Sequence, residues 1–450
     1  MKLQARALPK LNVRLTDRSP LSRLLNARQN EQDFARMRSQ QGSRLEQFHL
    51  KFTVTSEVNG RRNTINGRHV INFGSSNYLG FEQHPEVLYA AKRAIDELGT
   101  QTGCARNFSS HQNMLELENT LSQILGAEAT LIGNNVSQIH AGVLPALLGD
   151  ENSVLFIDKF ADPSLQQAAL IAAGKGVRVV PIDINDHSSL AKIIKREKPR
   201  SGVLIVDTNS THAPLLELKK LSELCEKSSL VLYLDDSHGV GVFGEHGGGM
   251  AEACGLNFDN LVVVGSLEHA FGSYGGFVSA KAPLIDFLRV TSKTYISSGT
   301  LQPSAVEGAL ASARIARSEE GRLLRKRLAE TSIRIRATLK ELGFVVQPGD
   351  SPVLSVLMGR DLKTLMAGRK LFDHGIFLHS VLYPIVPRAR GVLRISLTTL
   401  HTKEELERLV SAFGDLREYL LKHENPLRQA AHMALELGKA RWLGTRYAGL

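Results

Sequence analysis

Two short stretches of this chain carry side chains able to bind and to move protons. The first, Asp235-Asp236-Ser237-His238-Gly239, sets two carboxylates, a hydroxyl and an imidazole within five positions. The second, Ser266-Leu267-Glu268-His269-Ala270-Phe271-Gly272, adds another hydroxyl, carboxylate and imidazole, and Gly275 and Gly276 follow. Carboxylates hold cations and hydrogen-bond donors, and an unperturbed imidazole gives or takes a proton near neutrality. The glycines let backbone pass close to a neighbour where a Cβ would collide. Each stretch follows an apolar run, residues 230–234 and 261–264, that reads as a buried strand. Two strands that end in polar residues predict a site at the carboxyl edge of an open α/β sheet.

The elements around these strands alternate. Apolar strands are expected at 154–157, 177–182 and 203–206 as well, with helices such as 164–173 and 216–227 between them. Repeated β-α units imply a mostly parallel sheet covered on both faces. After Pro303 a long helical pattern over 305–342 leads into a smaller β/α region. The expected division is a basic arm with a helix over 1–50, a large α/β domain over 51–300 and a small C-terminal α/β domain over 301–420. A basic helical tail with Trp442 completes it over 421–450.

With 450 residues, 42% of them hydrophobic, and no apolar run long enough to span a bilayer, the chain reads as a soluble, cytoplasmic protein. Cys104, Cys225 and Cys254 are widely spaced, with no metal-ligand grouping, and read as buried free thiols. Residues 1–50 carry ten Lys/Arg against four Asp/Glu, and residues 421–450 carry five against two. Nine of the ten excess positive charges therefore lie at the ends, which argues against nucleic acid as a partner of the body. Basic ends suit peripheral contact with an anionic membrane surface, or plain solvation.

The two polar stretches resemble the signatures of the α-oxoamine synthases, which read D-E-A-H-S-x-G-x-x-G and T-x-S-K-A-F-G-x-x-G-G. Asn77-Tyr78-Leu79-Gly80 resembles that family's entry motif, and Leu393-Arg394-Ile395-Ser396 a marker of its C-terminal domain. The likeness spans about residues 50–420. It implies a fold-type-I aminotransferase-like architecture and the condensation of an amino acid with an acyl-CoA on pyridoxal phosphate. In the family a lysine of the second motif holds the cofactor as a Schiff base; here that position is His269.

Carried over residue by residue, the resemblance implies that Asp235 meets the pyridine nitrogen, His238 the ring hydroxyl and Ser266 the phosphate. Arg394 would grip the substrate carboxylate, with Asn77 and Arg106 on the substrate side. Several positions depart from the pattern. Asp162 stands where a ring-stacking histidine is expected, and a carboxylate has no face to stack. The small-aromatic pair whose amides hold the phosphate is missing near 135–137, and Met114 replaces a family histidine. The loop before Ala213 is shorter than the family's. Glu268 replaces the serine before the lysine, and a carboxylate about 6 Å from a phosphate dianion costs ~5 kcal/mol at an effective dielectric of about 20.

An imidazole forms no stable imine, so pyridoxal phosphate as a Schiff base is disfavoured, leaving non-covalent pyridoxal or pyridoxamine phosphate. Two readings follow. In one the chain is a lysine-less subunit in a homodimer, or in a heterodimer with a lysine-bearing paralogue. In the other it is an active enzyme in which His269, with His238 and Asp235, does altered chemistry. That chemistry is either pyridoxamine-dependent or a cofactor-free acyl transfer from an acyl-CoA or acyl carrier to an amine. A scaffold role rests on the basic ends alone.

Overall fold

The computed structural model describes residues 20, 22, 23, 50, 55–149, 152–197, 199–208, 217–383 and 385–423. The arm helix lies almost wholly outside the described residues, as do the tail with Trp442 and the loop around 209–216. Among the described residues no helix is long and apolar enough to cross a membrane.

The chain begins with a meander, β1 (Thr55–Asn59), β2 (Arg62–Ile65) and β3 (Arg68–Asn72). Then come β4 (Ala129–Gly133), β5 (Ser153–Asp158), β6 (Arg178–Ile182), β7 (Ser201–Asp207), β8 (Val231–Asp235), β9 (Leu261–Ser266) and β10 (Gly276–Ala280). These last seven form one sheet in the order β4-β10-β9-β8-β7-β5-β6. Strands β5 to β9 pair in parallel, while β10 runs antiparallel to both β9 and β4. The five strands expected from the sequence are all present within a residue or two. The antiparallel β10 and its partner β4 are additions, because their short, glycine-bounded apolar runs carry little periodicity.

Alternation of side chains places the core on both faces of this sheet. Phe156, Leu204, Leu232, Leu234 and Val263 pack with one layer, Leu155, Ile157, Val203, Ile205, Tyr233 and Val262 with the other. The second layer includes the helix Val136–Leu147, which meets the sheet beside β9 and β10.

The C-terminal region is built on β11 (Val353–Gly359), β12 (Ile376–Phe377), β13 (His379–Val381) and β14 (Gly391–Ser396). Strands β11, β14 and β13 make a three-stranded antiparallel sheet. Strand β12 instead pairs in parallel with β3, so the meander at 55–72 joins the C-terminal region through its hydrogen bonds. The range 51–300 thus includes strands that belong, by pairing, with residues after 370. The single long helix expected over 305–342 is two helices, Pro303–Arg317 and Glu319–Glu341. Ser318 separates them, in extended backbone, with its hydroxyl accepting from the Gly321 N–H as an N-cap. The thiols also differ from expectation: Cys225 is buried and Cys254 half-buried, but Cys104 is exposed.

The glycine-rich stretch packs backbone to backbone against the short helical turn at Phe81–Gln83. Gly272 has φ +57, and a Cβ there would lie 2.4 Å from the Glu82 backbone nitrogen. Backbone cannot swing aside as a side-chain tip can. Gly272→Ala should therefore lose about 2–4 kcal/mol of stability, whereas Gly67→Ala, also at positive φ but in open space, should lose only about 1 kcal/mol. Chemical denaturation of the two variants checks this, and equal losses would contradict the close approach at Gly272.

Candidate active site

Strand β8 ends on Asp235 and β9 on Ser266, side by side at the carboxyl edge of the parallel strands. Asp235 is buried, and both of its oxygens are used. Its Oδ2 accepts from His140 Nε2 at 3.0 Å. Its Oδ1 accepts from the Ser237 hydroxyl at 2.5 Å and the Ser237 N–H at 3.1 Å. His140 is itself fully buried and shares its Nδ1 with the Tyr233 hydroxyl at 2.8 Å. Burial pushes the Asp235 carboxyl up, but the His140 hydrogen bond and charge, with Ser237, outweigh it and hold it low. The carboxylate is therefore ionised at neutral pH. Asp236 behaves oppositely. Burial raises its pKa to about 7, against hydrogen bonds from the Met250 N–H at 2.6 Å and the Thr208 hydroxyl at 3.0 Å.

Close enough to Asp235 for its charge to act on one of them, two imidazoles lie face to face. His238 and His269 stack with ring centroids 4.0 Å apart and planes 17° from parallel. The Tyr78 hydroxyl and His238 Nδ1 share a hydrogen bond of 2.5 Å, and the Tyr78 ring is 6.2 Å from that of His269. Burial brings His269 down to about 4, with the Arg394 charge pushing the same way and Asp235 opposing. His238 falls well below its ordinary value through burial, then His269 and Arg394. Tyr78 is raised by burial, against the influence of Arg394 and Ser76. Both imidazoles are neutral at pH 7. His269 is thus a weak base, not one poised near neutrality as its residue type alone suggests.

The structure brings together Asp235, His238, His269, Tyr78 and Arg394. Arg394 sits on β14, so the small sheet supplies the cation that faces the large sheet's histidines. Ser266 is buried nearby, its oxygen accepting from the Glu268 N–H at 3.0 Å. Asn77 is buried beside Tyr78 and caps a turn through its Oδ1 and the Gly80 N–H. Arg106 is not brought into this group. Its guanidinium donates to Glu118 Oε1 and Ser110 Oγ, both at 2.9 Å, and lies 5.5 Å over the Tyr295 ring. Only 8% exposed, it is committed to a buried ion pair.

Two departures also have local explanations. Asp162 is exposed and caps the helix Pro163–Ala173 through the Ser164 N–H and hydroxyl. Asn135 caps Val136–Leu147 through the Gln138 N–H. Glu268 is exposed, yet partial burial raises its carboxyl above the usual range. The repulsion from a phosphate therefore lies between about 1 kcal/mol at a dielectric near that of water and about 5 kcal/mol at one near 20. His140 went unread in the sequence, because a lone histidine in the apolar run Val136–Leu147 looks like an ordinary core residue.

These side chains suit only part of pyridoxal phosphate. An ionised Asp235 matches a protonated ring nitrogen, but the stacked His269 presents no amine to an aldehyde. The donor set does not fit that cofactor as a covalently held group.

The arrangement, a sheet edge with a buried aspartate opposite a C-terminal arginine, defines a fold-type-I aminotransferase-like α/β protein. The profile of the family described as Aminotransferase class I and II matches residues 68–413. The chain is 32% identical over 354 residues to the 8-amino-7-oxononanoate synthase of Geotalea daltonii, covering 78% of this chain and 89% of that one. It is likewise 32% identical over 377 residues to the enzyme of that name from Thermoanaerobacter pseudethanolicus, covering 82% and 93%. The serine palmitoyltransferase of Sphingomonas wittichii superposes with a TM-score of 0.77 at 24% identity, covering 82% of this chain and 92% of that one. The chain belongs to the α-oxoamine synthase family within the class I and II aminotransferases.

Protonation of the stacked pair is directly measurable. The His269 ring signal should titrate with a midpoint of about 4 by NMR, and Arg394→Met should move the His269 and His238 midpoints upward. A wild-type midpoint at the ordinary histidine value would contradict the burial and the charge arrangement.

Proposed function

We propose that this chain is a lysine-less α-oxoamine synthase homologue that binds amino-acid-like ligands without forming a Schiff base. It acts as the partner subunit of a lysine-bearing paralogue or, lacking one, as a homodimer. The observation that carries the proposal is the His269 ring stacked on His238, at the position where the family motif places its lysine. The charge of Arg394, acting on Tyr78 and both imidazoles, suits the carboxylate of an amino-acid ligand. Asp235, met by His140 and Ser237, sets a negative field beside His269 that favours a cationic group nearby. The relatives' condensation of an amino acid with an acyl thioester defines the ligand class. An isologous dimer is the usual assembly for such a fold.

The alternative, altered catalysis with His269 as general base, draws on the same polar cluster. It is weakened by a pKa of about 4, which leaves His269 unprotonated but with little driving force to take a proton. Non-covalent pyridoxal or pyridoxamine phosphate, held at its ring nitrogen by Asp235, is compatible with either reading. The basic ends at 1–50 and 421–450 suit peripheral contact with an anionic membrane surface.

Restoring the amine tests the proposal. His269→Lys should give an aldimine band on titration with pyridoxal phosphate, and His269→Lys with Glu268→Ser should bind about tenfold tighter still, the equivalent of ~1.4 kcal/mol. Wild type and Glu268→Ser should give no band. If neither lysine variant develops it, the site has diverged beyond position 269. A monomer by light scattering, with no paralogue co-purifying from the native host, would contradict the subunit role.

A further inference from the structure

Two residues outside the family signature, Ser355 and His379, lie in one row with Arg394 across the small sheet. Ser355 on β11 pairs directly with Arg394 on β14, and Arg394 pairs directly with His379 on β13. Directly opposed residues of antiparallel strands project to the same face, with side chains about 5 Å apart. The row therefore runs from Ser355, buried, through Arg394, half-buried, to His379 at the open end. Among the described residues the Ser355 hydroxyl has no hydrogen-bond partner, and neither does the buried Asn77 amide nitrogen next to Tyr78. Both are polar groups whose burial costs free energy unless something pairs with them.

His379 is held in place by what surrounds it. Its ring meets Phe377 edge to face at 5.6 Å. A Cβ on Gly74 would lie 3.0 Å from its Nε2, so glycine at 74 is what leaves room for the imidazole tip. Gly74 belongs to the segment that leads to Asn77 and Tyr78, so the same loop borders His379 and carries Tyr78 to His238. Arg394 acts electrostatically on Tyr78, His238, His269 and His379 alike. Asp235, the ionised carboxylate of the site, is already met by His140 and Ser237.

We propose that His379 is a specificity-determining residue and that the row Ser355–Arg394–His379 selects a small ligand with two acidic groups, such as a short dicarboxylic amino acid. Arg394 pairs with one carboxylate. His379, one strand spacing away, takes the second, and the Ser355 hydroxyl donates to the first from below. His379 is neutral in the free protein, lowered by the packing around it and by Arg394. A carboxylate that neutralises Arg394 and contacts His379 reverses both influences, so binding takes up a proton. Binding is then tighter at lower pH, down to where the ligand carboxylates themselves protonate. His238 and His269 share the field of Arg394 and take up part of this proton too, so a His379 variant is needed to separate their contribution. The proposal rests on the reading of the site as a binder of amino-acid-like ligands, and not on the subunit role.

The experiment is calorimetric titration of the full chain with L-glutamate, L-aspartate and L-alanine at about pH 6 and about pH 8, in buffers of different protonation enthalpy. The diacids should bind at least ~10-fold tighter than alanine, more so at the lower pH, with net proton uptake. In His379→Gln and His379→Ala the diacid-to-alanine affinity ratio should fall toward one and proton uptake should shrink, with unchanged thermal melting marking intact folds. Diacids binding no better than alanine, or a ratio that survives both substitutions, would overturn the proposal. So would an absence of binding by all three. An aldimine in His269→Lys alongside any of those outcomes would leave the family-site reading standing and locate the failure in His379.

Discussion

A carboxylate buried at the end of a strand costs several kcal/mol unless it is paired, and Asp235 sets that requirement for the centre of this fold. Its oxygens are met by His140 and Ser237, so the helix Val136–Leu147 must lie where His140 can reach the end of β8. That helix comes close only because residue 276 is glycine: a Cβ there would sit 2.6 Å from the Val136 nitrogen. Tyr233, two residues before Asp235 and so on the same face of β8, closes the chain of hydrogen bonds through His140. The aspartate, the histidine and the glycine-rich stretch are one structural unit, stable without any amine at position 269.

The unit has an electrostatic consequence. The charge of Asp235 opposes that of Arg394, from the small sheet, at His269, and Arg394 also acts on His238. The arginine and the burial together keep the imidazoles neutral. A neutral stacked pair adds no charge near Asp235. The same neutrality makes His269 a poor proton acceptor, and it argues for ligand binding over base catalysis.

Much of this was legible in the sequence. The strands ending in Asp235 and Ser266 follow from apolar runs bounded by turn residues, whereas the Asn77–Gly80 turn and Arg394 were read only through the resemblance to family motifs. The turn and a strand carrying Arg394 are both present. The antiparallel β10 was not legible because its short, glycine-bounded apolar run carries little periodicity, and the pairing of β3 with β12 because partners roughly three hundred residues apart leave no local signal. His140 and His379 were missed for a related reason. Each sits in a short, mostly apolar stretch, His140 within 139–148 and His379 beside Ser380 within 376–382, and its importance comes from a neighbour across the fold. Arg106 misled in the opposite way: its motif-like setting conceals an ion pair with Glu118, twelve residues on. The low basicity of His269 depends on burial and on a distant arginine, neither of which is written at position 269.

An imidazole at position 269 offers an aldehyde no amine for a covalent hold. Intact-mass spectrometry of the wild-type chain, incubated with pyridoxal phosphate and then reduced with borohydride, tests it most directly. The account predicts no stoichiometric mass gain and no modified lysine at the site. A single reduced adduct at full occupancy, mapped to a lysine reaching the Asp235–His269 cluster, would contradict it.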